Sequence, residues 1–195
     1  MKETGQVIGL PETDRDGRLS LGMNLFLLSW AGSFLGLLGC YVFLRVFATE
    51  WKPAGAPGIP LLLPSVATFI LAVSSVTAQK GLNAVRHARP QELFPLLLAT
   101  WGLGVLFTVI QFVVWVTLWN AGMSARGTYA GTFYAITIFH ALHVVVALGL
   151  LGWLARDARR GAFHGRNYIR VTMVTRFWHF LDVSWLLIFL LVYVW

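Results

Sequence analysis

The sequence predicts an all-α polytopic membrane protein: a five-transmembrane-helix bundle with a cytoplasmic N-terminus and an extracytoplasmic C-terminus. Three observations predict it. First, 57% of the 195 residues are hydrophobic, 12% are charged, and the mean hydropathy is +0.71. That is far too apolar for a water-soluble domain. Second, the apolar residues fall into five runs, each near or above the ~20 residues a helix needs to cross a bilayer. Third, the cations segregate. Lys2, Arg15 and Arg18 lie in the tail, and Lys80, Arg86 and Arg89 in the second loop. Arg156, Arg159, Arg160, Arg166, Arg170 and Arg176 lie in and around the fourth loop, leaving Arg45, Lys52 and Arg126 for the other side. Twelve against three sets the expected orientation by the positive-inside rule.

Met1 to Arg18 mixes acidic and basic residues with Gly and Pro and has no apolar period, which predicts a flexible cytoplasmic tail over residues 1–18. No cleavable signal peptide is evident, because the first apolar run starts near Leu19 and continues past Phe43. From there to Trp195 the chain reads as a single transmembrane domain, with helices at about 19–47, 59–79, 93–119, 131–154 and 172–195. In the first helix, Gly32 and Gly36 form a G-x-x-x-G pair with Gly39 nearby, which predicts close helix packing. Cys40, the only cysteine, excludes an intrachain disulfide and is expected to be a small buried apolar residue. The second helix opens on Pro60 and Pro64, where a missing backbone donor costs least. Its small residues Ala67, Ser74, Ser75 and Ala78 are further candidates for close approach, as are Gly102 and Gly104 in the third helix and Gly149 and Gly152 in the fourth. Trp51, Trp115, Trp119, Tyr129, Tyr193 and Trp195 gather toward the outer edge, as an interfacial belt does.

The last helix carries Arg176, His179 and Asp182, three apart and therefore along one face. A carboxylate in hydrocarbon costs several kcal/mol unless it is paired or faces protein. The stripe is therefore expected to face inward, with a mutual His179–Asp182 hydrogen bond locking the last helix against the fourth.

The fourth helix holds His140 and His143, about one turn apart and able to meet the same neighbour. Three readings compete: ligation of a metal or haem, proton transfer, and buried hydrogen bonding that fixes packing. One straight helix cannot supply both axial ligands of a haem, although His140 or His143 could pair with His179. Three membrane histidines and Asp182 offer no ligand set at a known spacing. His140, His143, His179 and Asp182 are therefore expected to form a structural polar cluster, with no catalytic, cofactor or metal site in the chain. No nucleophile–base–acid arrangement, phosphate loop or zinc motif occurs. The net charge of +7 sits in loops between apolar runs, which excludes nucleic acid as a partner. Lys80, Arg86, His87 and Arg89 form a basic patch at the membrane surface that can bind anionic lipid head groups or serve topology alone. His164, in the fourth loop, reads as a solvated surface residue.

Several stretches resemble the haem-copper oxidase subunit III family. The last helix, with Trp178, His179, Phe180, Asp182, Trp185, Tyr193 and Trp195, is similar to that family's W-H-F-x-D-x-x-W pattern with an aromatic tail. Gly131, Thr132 and Phe133, followed by Phe139 to Val144, resemble its G-S-T-F and F-H-G-L-H-V signature. MNLFLLSW and LGVLFTVIQ look like its M-x-L-F-x-x-S-E and G-x-x-F-x-x-x-Q stretches, so the resemblance spans Met23 to Trp195. Two departures stand out: Trp30 follows Ser29 where the family usually has a glutamate, and Val114 stands three places after Gln111 where a second is frequent. The resemblance implies a non-catalytic subunit III of a respiratory terminal oxidase (cytochrome c oxidase), of the five-helix bacterial type without the family's first two helices. It implies a bacterial plasma membrane location and haem and copper only in partner subunits. It further implies contact with subunit I, association with subunit II and with a small subunit IV or a respiratory supercomplex, and bound phospholipid. The accessory subunit of a quinol oxidase or nitric oxide reductase is the alternative within the same family. A membrane cytochrome b is more remote, and a transporter lacks the expected inverted repeat and broken helices.

Overall fold

A computed structural model of the chain describes residues 12–163 and 168–195, with side chains from residue 17 onward. The first eleven residues of the expected tail and His164 lie outside the described residues. The architecture is all-α. Helix α1 runs Glu12–Phe47, α2 Leu62–Arg86, α3 Leu93–Asn120, α4 Gly127–Arg159 and α5 Ile169–Ile188. The last of these continues as a π-helical turn over Phe189–Val194. Among the described residues, five helices are long and apolar enough to cross a membrane.

The helices overrun the apolar runs at one end. Helix α2 does not stop at Gln79 but continues for two turns through Lys80 to Arg86, and α4 continues to Arg159. The physical reason is that a helix leaving hydrocarbon keeps its own backbone bonds, so a polar sequence in the head-group layer has no cause to unwind. The connection expected over residues 79–92 is correspondingly short. His87 N bonds Asn83 O, Arg89 N bonds Ala84 O at 2.8 Å, and Ala88 takes φ +56° to turn the chain. Pro90 then opens a 3-10 turn, Pro90–Glu92, that leads into α3. At the opposite end, the α3–α4 turn relies on Gly122 (φ +91°) and Gly127 (φ +81°), in a region that favours glycine.

Helices α2, α3, α4 and α5 pack as a ring, α2 against α3 most extensively and α5 closing on both α4 and α2. Helix α1 lies outside this ring, resting on α5 and α4 and scarcely touching α2. The core is aromatic: Trp178, Trp185, Phe107 and Phe133 are fully buried. Gly104 makes room for it. A Cβ there would stand 2.5 Å from the Trp178 ring and 2.8 Å from Leu148. Gly152 similarly faces Trp101, 3.4 Å from its indole nitrogen.

The first helix does not follow expectation. Gly32, Gly36 and Gly39 are exposed and, among the described residues, have nothing within 4 Å of an added Cβ, so no described helix approaches them. Cys40 is exposed as well, not buried. Lipid removes the hydrophobic penalty that would turn such positions inward in water, so outward placement costs nothing. Trp115 and Tyr193, expected in the outer belt, turn into the bundle instead, and Trp119 and Trp195 remain outside.

Candidate functional site: an intramembrane polar seam

The densest polar site joins α5 to α2. Ser75 on α2 donates through its hydroxyl to Asp182 Oδ2, and its Oγ also lies 3.0 Å from His179 Nδ1. Gln79 Oε1, one turn along α2, lies 3.1 Å from His179 Nε2. Serine suits the bridging position because its hydroxyl donates once and still accepts. The expected direct His179–Asp182 bond is therefore replaced by a bridge through Ser75, and the helix that the stripe locks is α2, not α4. The cause is rotational. Trp178 points to α2 and α3, where it donates to Ser74 Oγ at 3.0 Å and covers Gly104. That setting carries His179 and Asp182 to the α2 side. Arg176, at the start of the stripe, is exposed and bonds Ser20 of α1 at 3.1 Å.

The sequence reading missed Gln79 as a partner and took Ser75 only as a small residue. The signal was present: a serine and a glutamine four apart in an apolar run mark one polar helix face.

His140 and His143 do not join this seam, so the expected four-residue cluster divides in two. His143 Nδ1 bonds its own helix at Phe139 O, 2.5 Å away, and its ring meets Trp30 edge-on with centroids 3.7 Å apart. Trp30, the departure from the family pattern, thus packs an indole against a histidine where a carboxylate was expected. His140 is fully buried among Trp185, Phe107 and Phe34, with ring centroids at 5.4, 6.3 and 6.0 Å. Among the described residues, neither of its nitrogens has a hydrogen-bond partner, contrary to the bonding expected of it. The two histidines share Phe34 of α1 but otherwise face different rings, Trp30 for His143 and the buried pair Trp185 and Phe107 for His140.

Further helix-to-helix bonds surround these groups. Trp185 Nε1 donates to Thr68 Oγ1 at 2.9 Å, Trp115 Nε1 to Thr137 Oγ1 at 3.1 Å, and Gln111 Nε2 to Tyr193 Oη at 2.7 Å. Val114, at the second departure, is a fully buried apolar residue. Among the described residues, no three His, Cys, Asp or Glu side chains come together as metal ligands.

Lys80, Arg86, His87 and Arg89 are all exposed around the end of α2. His87 Nδ1 lies 2.8 Å from Asn83 O, and Arg89 pairs with Glu92 at 3.1 Å across exposed surface. Arg170 stands at the same end, 3.8 Å from Asp157 and over the Trp153 ring.

A family sequence model described as cytochrome c oxidase subunit III matches residues 4–195. The chain is 35% identical over 173 residues to the cytochrome c oxidase subunit 3 of Synechocystis sp., covering 88% of this chain and 73% of that protein. It is 32% identical over 176 residues to that of Thermostichus vulcanus, covering 89% and 86%, and 30% over 184 residues to that of Struthio camelus, covering 91% and 69%. The matched region takes in both halves of the polar seam, Ser75 with Gln79 and His179 with Asp182. On this evidence of sequence, carried over nearly the whole chain, the protein belongs to the cytochrome c oxidase subunit III family.

Proposed function

We propose that this chain is a non-catalytic subunit of a respiratory haem-copper terminal oxidase in a bacterial plasma membrane, packed against the catalytic subunit that holds haem and copper. It acts there as one membrane unit from about Leu19 onward, with its N-terminus and basic end in the cytoplasm. It stabilises the catalytic subunit and supports its proton uptake during oxygen reduction. The exposed patch of Lys80, Arg86, His87 and Arg89 binds acidic phospholipid head groups, each cation contributing about 1 kcal/mol near an anionic surface. The second subunit of the oxidase, and a small fourth subunit or larger respiratory assembly, are further partners.

The observation that carries this reading is how the membrane polar groups are used. Ser75, Gln79, His179, Asp182, Ser74 and Trp178 are engaged in joining α2 to α5. Such a use fits a scaffold that holds its shape against a partner.

The test is purification from native membrane through a tag on Met1, followed by an optical spectrum, metal analysis and an oxygen-consumption assay. Co-purification of a haem- and copper-bearing subunit with oxygen-reducing activity is the expected result. A colourless chain recovered alone, from membranes that retain oxidase activity elsewhere, would refute the reading. A partner that reduces nitric oxide instead of oxygen would reassign the complex within the family.

A further inference from the structure

We propose that the face of α5 left open between α1 and α2 receives a transmembrane helix of another subunit, which sets a hydrogen-bond donor against Asp182. This rests on the reading above that the chain works inside an oxidase complex, and it specifies which face is covered and by what chemistry.

Position comes first. At 1.5 Å per residue, Asp182 lies roughly 20 Å along the helix from Ile169, and about as far from Val194, which puts it near the middle of the span. Its carboxylate is only half-buried, and among the described residues its one hydrogen bond is from Ser75 to Oδ2. Lipid tails carry no donor, and phospholipid head groups lie far from this depth. A carboxylate half-open to hydrocarbon is costly, and residues of this kind face protein or a polar cavity.

Geometry makes room for a helix. The polar stripe of α5 reaches α1 on one side, through Arg176 and Ser20, and α2 on the other, through His179 and Asp182. Since α1 scarcely touches α2, the strip between these two seams is not covered by any of the described residues. It carries Val183, 60% exposed, with Leu186 and Leu190 each 47% exposed. On the α2 side Val76 is 54% exposed. The result is an apolar strip with one acceptor at its polar border. That combination matches a membrane helix presenting an apolar ridge and a single Ser, Thr, Asn, Lys or Arg. It matches neither a lipid, which lacks a donor at this depth, nor a water-soluble domain.

The test uses the intact complex, purified through the same tag, with a photo-crosslinking benzophenone amino acid at Val183. A matching probe replaces Val145, which is 56% exposed on α4. The expected result is a Val183 cross-link to a peptide from a membrane-spanning segment of another subunit, with Val145 giving lipid adducts. Asp182→Leu should lower the Val183 yield several-fold, and Asp182→Asn, which keeps an acceptor, should restore most of it. Lipid adducts alone at Val183, in a complex that still holds its haem- and copper-bearing subunit, would overturn the inference and leave the functional reading intact. An undiminished yield in Asp182→Leu would overturn the role given to the carboxylate. If Asp182→Leu fails to accumulate, the Val183 probe in the otherwise native chain and the Asp182→Asn variant still decide the matter. Failure of any haem- and copper-bearing subunit to co-purify would count against the functional reading instead.

Discussion

Gly104 and Gly32 show how much depends on what faces a missing side chain. A methyl group at Gly104 would meet Trp178 and Leu148 at 2.5 and 2.8 Å, both belonging to the packed interior. Gly104→Ala should therefore cost about 1–3 kcal/mol through overpacking. Gly32→Ala, with nothing within 4 Å, should stay within about 0.5 kcal/mol. Thermal unfolding of the two variants in detergent separates them, and equal melting points would contradict the packing described. Ser75 poses the complementary test. Ser75→Ala removes the bridge and leaves Asp182 and His179 each short of a partner, at about 1–3 kcal/mol. Thr117→Ala, whose exposed hydroxyl only bonds Val113 O in its own helix, is the matched control and should be near neutral.

At the scale of the element, α5 organises the bundle. Two of its indoles, Trp178 and Trp185, reach hydroxyls of α2, and its polar stripe reaches α2 again through Ser75 and Gln79. Interhelical hydrogen bonds in membranes are individually modest, averaging about 0.6 kcal/mol in double-mutant cycles. A cycle between Trp178→Phe and Ser74→Ala should return a coupling near that value. A coupling indistinguishable from zero would mean that the Trp178 ring acts by packing alone. Helix α1 is held differently, by rings: Phe34 meets Phe139, His143 and Phe180 at 5.1, 5.4 and 5.9 Å. Phe34→Ala should cost about 3–5 kcal/mol and loosen α1 from α4 and α5. Faster cleavage of α1 by protease in detergent, with the other four helices still protected, is the expected readout.

For the whole molecule, orientation is the property to test, because the proposed lipid contacts and partner face depend on it. In a Cys40→Ser background, Ala54→Cys lies in the α1–α2 connection and His87→Cys at the end of α2. A membrane-impermeant maleimide applied to intact cells should label the first at once and the second only after lysis. The reverse pattern would invert the topology and remove the basic patch from the cytoplasmic leaflet.

Composition and charge placement foretold the number of helices and their order along the chain, since length and hydropathy are local properties that a bilayer reads one segment at a time. The last helix could also be singled out in advance, because a histidine and a carboxylate in hydrocarbon demand partners wherever the helix goes. Which partners they find is a matter of rotation about the helix axis, and only the packed bundle decides that. Trp178 over Gly104 turns α5 so that Asp182 meets Ser75 of α2, not the histidines of α4. The same rotation divides the four polar residues into two groups. The packed bundle also leaves Gly32, Gly36 and Cys40 of α1 on an outer surface, a choice lipid permits because no hydrophobic penalty draws such residues inward.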